Sequence, residues 1–198
     1  NITSEYSKYF CKYYDLSRLK LTNGKDNIEA FCNMFFNRKA YLNVKRLIQE
    51  ESPDIFQGFG VAKHLSGSIF QASKESGIPT ILRLSDFALI CPNSVALDGA
   101  HMPCLSCSGN DGWLRILTTR CIDYSLAKSF VGLLENFGNR ILNLYRKYVD
   151  CFISPSRFVR DKFIELYKLP ISRIHFVPIF IDTTNITPKY DDDGYFLY

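Results

Sequence analysis

Four of the chain's seven cysteines, Cys91, Cys104, Cys107 and Cys121, fall inside the stretch CPNSVALDGAHMPCLSCSGNDGWLRILTTRC, spaced C-x12-C-x2-C-x13-C. A C-x2-C pair lets two thiolates reach one tetrahedral ion, as in half of a zinc ribbon, and a loop that folds back brings Cys91 and Cys121 to the other two positions. The second C-x2-C of a ribbon is missing, so three readings stand side by side: a structural zinc held by all four thiolates, a disulfide among some of them, or free thiols. A redox C-x2-C tends to open a helix, which CLSCSGNDG does not resemble. His101, three residues before Cys104, is either a replacement ligand or a solvated loop histidine.

The elements that must position these residues are read from hydrophobic spacing. Between Asn27 and Glu51, Ile28, Phe31, Phe35, Leu42 and Ile48 recur at helical spacing, with Lys45 the exception on that face, and Pro53 closes the segment. Asp54 to Phe59 is a short buried strand that empties into Gly60, and a helix follows from about Ala62 to Ser76. The β-branched and apolar run in IPTILRLSD is a central strand, with Asp86 just past its end. After the cysteine stretch, residues 124–149 form one amphipathic helix. DCFIS is a further strand, PSRFVRDKFIELYKL a helix capped by Ser154 or Ser156, and IHFVP a last strand.

Strand, helix, strand in this alternation predicts an α/β fold: a Rossmann-like parallel sheet with helices on both faces, interrupted by a long Cys-rich loop. Ligands of such sheets sit at the carboxyl ends of the strands. The candidate cleft residues are therefore Gln57, Gly58 and Gly60 after the first strand, Ser85, Asp86 and Asn93 after the second, and Ser156 and Arg157 after the third. The amides that open the helix after Ser156 are a place for phosphate or simply a capped helix start.

In order and spacing, PDIFQGFG, GIPTILRLSDFALICPN, DCFISPSRFVRDKF and RIHFVPIFID resemble the N-terminal, acceptor-side domain of a family 4 retaining glycosyltransferase with the GT-B fold, over about residues 40 to 198. The resemblance implies sugar transfer from a nucleotide-sugar donor to a glycan or lipid-linked acceptor, with no divalent metal in the reaction. It also implies that residues 1–188 are this domain without its first strand. Residues 189–198 would then be a linker and the opening strand of a nucleotide-sugar domain that lies outside the chain, leaving the fragment inactive alone.

Two departures matter. Ser85, Asp86, Phe87 and Ala88 stand where the family often has His-Asp-Tyr-Trp, and Ile179 and Phe180 replace the usual Asn-Gly before Ile181 and Asp182. Ser85 can donate and accept a hydrogen bond but is no base near neutral pH. Asp86 either holds an acceptor hydroxyl or orders its own loop as an Asx cap.

Composition narrows the partners. A net charge of +4 with no basic run argues against nucleic acid, and no apolar stretch is long enough to span a bilayer. An odd cysteine count suits a reducing, cytoplasmic setting better than a secreted disulfide framework, so the sequons at Asn1 and Asn185 carry little weight. The aromatic and basic sides of the 124–149 helix fit either core packing or peripheral contact with the inner face of a membrane. Outside the enzyme reading, the same residues fit a zinc-stabilised binding module on a Rossmann-like base, or a sugar-nucleotide epimerase of GT-B form.

Overall fold

The structure, a computed structural model, describes residues 32–62, 65–108, 115–184 and 186–187. The first sequon, Asn185 of the second, and the linker and opening strand expected over 189–198 lie outside the described residues.

Helix α1 (Arg38–Glu51) starts at Asn37, whose side-chain Oδ1 accepts from the Ala40 amide at 2.8 Å. It ends at Ser52 in the left-handed region, and among the described residues the expected long helix is interrupted at Phe36 and Asn37, with residues 32–35 helical before the break. Strand β1 (Phe56–Phe59) leads to α2 (Ser68–Glu75), which begins later than expected because Ser66 adopts φ 54 and ends any earlier helical path. Strand β2 (Thr80–Arg83) follows at once.

The expected helix over 124–149 is two helices, α4 (Leu126–Leu142) and α5 (Leu144–Tyr148), preceded by a short α3 (Arg115–Thr119). Asn143 breaks it at φ 51, a conformation that asparagine tolerates better than most residues. The break turns Leu144 and Tyr145 into the core. Strand β3 (Cys151–Ser154), α6 (Arg157–Leu166) and β4 (Ile174–Phe176) complete the alternation.

All three strand pairings are parallel and the order is β1-β2-β3-β4. Sequential order corrects one expectation. Right-handed crossovers between neighbours taken in chain order return on the same face of the sheet, so helices do not alternate between faces. Burial agrees: Gly58, Thr80, Leu82, Phe152, Ser154 and Ile174 are buried in register on one face, while Gln57, Phe59, Ile81, Arg83, Cys151, Ile153 and His175 opposite them are exposed or half-buried. Among the described residues the helices cover one face, not both.

The core on that face centres on Phe70, fully buried, which meets Phe56 edge-on at 5.8 Å and Tyr145 at 5.9 Å between ring centroids. Burial of side chains such as Phe70, Phe152 and Phe163 contributes roughly 1.5–3 kcal/mol each. At the amino ends of the strands, Asp150 accepts from both the amide and hydroxyl of Thr80 at 3.0 Å and pairs with Lys74 at 2.5 Å. This stitching fixes β2 against β3 and leaves the opposite strand ends to the loops.

Candidate functional site at the strand ends

The carboxyl ends of β1 and β2 enclose a cleft lined by Gly60, Val61, Ala62, Leu82 through Asp86, and Leu89. A second cleft adjoins it through Ala62 and Leu89 and reaches Ala88, Pro92, Gly132, Glu135, Asn136 and Asn139. They share Ala62 and Leu89 between the sheet and α4, and each holds about 10 Å³, room for roughly one water. Gly60 permits the turn at the mouth of the first cleft: its φ of +63 favours glycine, although the space around it is open.

Ser85 and Asp86 stand exposed at this rim, as the strand-end rule predicts. Asp86 Oδ1 accepts from the Ala88 amide at 2.8 Å, so the Asx turn is made. Its carboxylate remains on the cleft side of the molecule, and the loop-ordering and ligand-facing readings are compatible in one residue.

The other predicted cleft residues are dispersed. Gln57 is exposed, on the sheet face opposite the helices among the described residues. Gly58 is a packing glycine: a Cβ there would sit 2.5 Å from Phe70 Cζ. Ser154, buried, donates to the Ser156 carbonyl at 2.8 Å, and Ser156 opens α6 without a side-chain cap bond. Arg157 stacks its guanidinium over Phe176 at 5.2 Å. None of these lines either cleft.

Sequence reasoning missed Asn136. It is 7% exposed and borders the second cleft, so its side-chain amide lies in the wall of that cleft. An asparagine between Leu133 and Phe137 on an apolar helix was the available signal. It was obscured because the apolar stripe drew the core assignment, whereas α4 buries Ser129, Gly132, Leu133 and Asn136 and leaves Leu126, Phe130, Phe137 and Ile141 at least 50% exposed.

Asn93 organises the Cys-rich loop rather than either cleft. Its Oδ1 accepts from the Cys91 thiol at 2.8 Å and from the Val95 amide at 3.1 Å, and its Nδ2 donates to the Leu97 and Cys121 carbonyls. The two ends of the loop are thereby joined, as a fold-back requires. His101 faces Tyr124 edge-on at 5.9 Å, on an exposed corner.

The six described cysteines are free. Burial pushes the Cys107 thiol up to about 12, with Cys91, Cys121 and Cys104 adding to the rise. Burial also raises Cys91 and Cys121, and each senses the neighbouring thiols. These three are protonated near neutral pH, the reverse of an activated nucleophile or redox thiolate. No group of three or more His, Cys, Asp or Glu among the described residues is arranged to hold a metal ion as it stands.

The loop follows an expensive backbone path. Six of the ten described non-glycine residues with positive φ lie between Ser94 and Tyr124: Ser94, Ala96, His101, Arg120, Asp123 and Tyr124. Each costs on the order of 1 kcal/mol, which only a well-determined loop sustains.

Fold and clefts together define an α/β domain with a four-stranded parallel, Rossmann-like sheet. No protein-family model, curated protein or solved structure matches the chain.

Proposed function

We propose that the chain is the acceptor-side domain of a retaining glycosyltransferase with the GT-B fold, transferring a sugar from a nucleotide-sugar donor to a glycan or lipid-linked glycan. The observation that carries this reading is the pair of adjoining clefts at the carboxyl ends of β1 and β2, with Ser85 and Asp86 on the rim of the first and Asn136 in the wall of the second. Such clefts offer a carboxylate, a hydroxyl and an amide to a polyhydroxylated ligand, the donor and acceptor groups that sugar hydroxyls require.

In this reading Asp86 holds the acceptor hydroxyl and Ser85 orients it by hydrogen bonding, without serving as base. The donor phosphate departs from a second α/β domain while the acceptor oxygen approaches on the same sugar face, so catalysis is mainly positional and electrostatic. No metal takes part in that step.

Contact with the inner face of a membrane belongs to the same reading. No helix of the described residues is long and apolar enough to cross a bilayer. The exposed Leu126, Phe130, Phe137 and Ile141 on α4 suit an interfacial contact that presents a lipid-linked acceptor to the clefts.

Asp86→Asn is the informative variant, because asparagine keeps the Oδ1 acceptor of the turn and removes the charge. In a polypeptide that carries this domain together with a nucleotide-sugar domain, transfer is expected to fall at least tenfold with stability unchanged. Absence of both nucleotide-sugar binding and turnover in that polypeptide sinks the reading. The joined ends of the cysteine loop favour, as a second reading, a zinc-stabilised binding module on the same base; saturable nucleotide-sugar binding separates the two.

A further inference from the structure

The Cys-rich loop is tied so that its four cysteines come from separate turns into one neighbourhood. The Cys104 amide donates to the Ala96 carbonyl at 2.8 Å, and Leu97 bridges to Pro103 in antiparallel fashion, which lays the 104–107 turn beside the turn after Cys91. Cys107 is buried against Ile116 and Leu133, and Cys121 packs on the same small apolar cluster. Asn93 closes the remaining side through its contacts with Cys91 and the Cys121 carbonyl.

We propose that Cys91, Cys104, Cys107 and Cys121 form a structural site for one soft divalent cation, zinc, that fixes the loop walling the clefts. The donor set fits the metal: four sulfurs, two of them in a C-x2-C turn, suit a tetrahedral thiophilic ion. Ser94 Oγ, in the turn after Cys91, is buried with no hydrogen-bond partner among the described residues. Arg140 reaches in from α4 to donate to the Cys107 carbonyl at 2.5 Å, placing a permanent cation beside a site whose complex would be anionic.

The thiols as they stand are neighbours and not a finished tetrahedron. Metal binding must displace the thiol protons. Four thiols and one zinc ion give a tetrathiolate complex of charge −2 and four released protons, so affinity rises with pH.

The site is separable from the glycosyltransferase reading because its test requires no turnover. The chain is purified without chelator, its zinc content is measured, and thiol alkylation is mapped by mass spectrometry before and after chelation. Expected are about one zinc per chain and protection of Cys91, Cys104, Cys107 and Cys121 that chelation abolishes, with Cys32 and Cys151 unaffected. Replacing zinc by cobalt(II) should give the charge-transfer and visible bands of a tetrahedral thiolate site, lost in the Cys104→Ser/Cys107→Ser variant and kept in Cys32→Ser/Cys151→Ser. No zinc and no added protection on supplying Zn2+, metal retained by the Cys104→Ser/Cys107→Ser protein, or a disulfide among the four in anaerobically prepared chain would each overturn the proposal. If the double variant does not fold, the alkylation map of the unaltered chain decides.

Discussion

Tyr145 Oη donates to the Ala62 carbonyl at 3.1 Å, joining α5 to the loop that follows β1 across 83 positions of sequence. Ala62 lines both clefts, so this bond sets the floor they share. Burial keeps the Tyr145 phenol protonated well above the usual tyrosine range, and it serves only as a donor here.

Tyr145→Phe preserves the ring packing and leaves the Ala62 carbonyl without its buried donor. A loss of about 1–2 kcal/mol in chemical denaturation is expected, with weaker acceptor binding if that floor relaxes. An unchanged midpoint would show the bond to be energetically idle.

The two glycines around β1 should respond differently to alanine. Gly58→Ala drives a methyl into Phe70 and is expected to cost about 1–3 kcal/mol through overpacking. Gly60→Ala meets no atoms but must hold φ +63, a cost of about 1 kcal/mol. Paired urea denaturation curves check the order.

Acid should loosen the α1–α2 contact. The Tyr41 hydroxyl, then the Gln71 amide and the Lys45 ammonium, hold the Glu75 carboxyl down to about 2. A carboxyl with a depressed folded pKa stabilises above its unfolded value, and that share is lost as pH falls from about 4.5 through about 2. Because the Glu75 side chain is 38% exposed, screening keeps the effect below about 1 kcal/mol. Glu75→Gln should flatten the stability profile in this window, losing that share near neutrality and converging with the unaltered protein below about pH 2; equal acid slopes in the two proteins would contradict the assignment.

The outward face of α4 makes a prediction for membranes. Phe130→Asp with Phe137→Asp should abolish cosedimentation with anionic lipid vesicles while leaving the folded core intact, because neither side chain is buried. No cosedimentation of the unaltered chain would remove membrane contact from the proposed function.

Much of the strand framework was legible because short apolar runs bounded by Gly60, Asp86 and Ser154 admit little else than strands of a parallel sheet. The site was legible in part. Ser85 and Asp86 lie two and three residues past β2 and border the first cleft, whereas Gln57 and Gly58 lie within β1, where a side-chain period of two puts them on opposite faces of the sheet.

The sequence by itself determined the parallel α/β alternation, the strand ends at which a cleft forms, and the cysteine spacing that allows a fold-back loop. Those are local properties, carried by periodicity and turn residues. Only the tertiary structure decided that sequential strand order leaves one sheet face without a covering helix among the described residues, that α4 turns Asn136 inward and Phe130 and Phe137 outward, and that Asn93 joins the two ends of the cysteine loop. Each depends on which surfaces meet across many residues of chain, and a hydrophobic stripe specifies that a helix has a preferred face without specifying what lies against it.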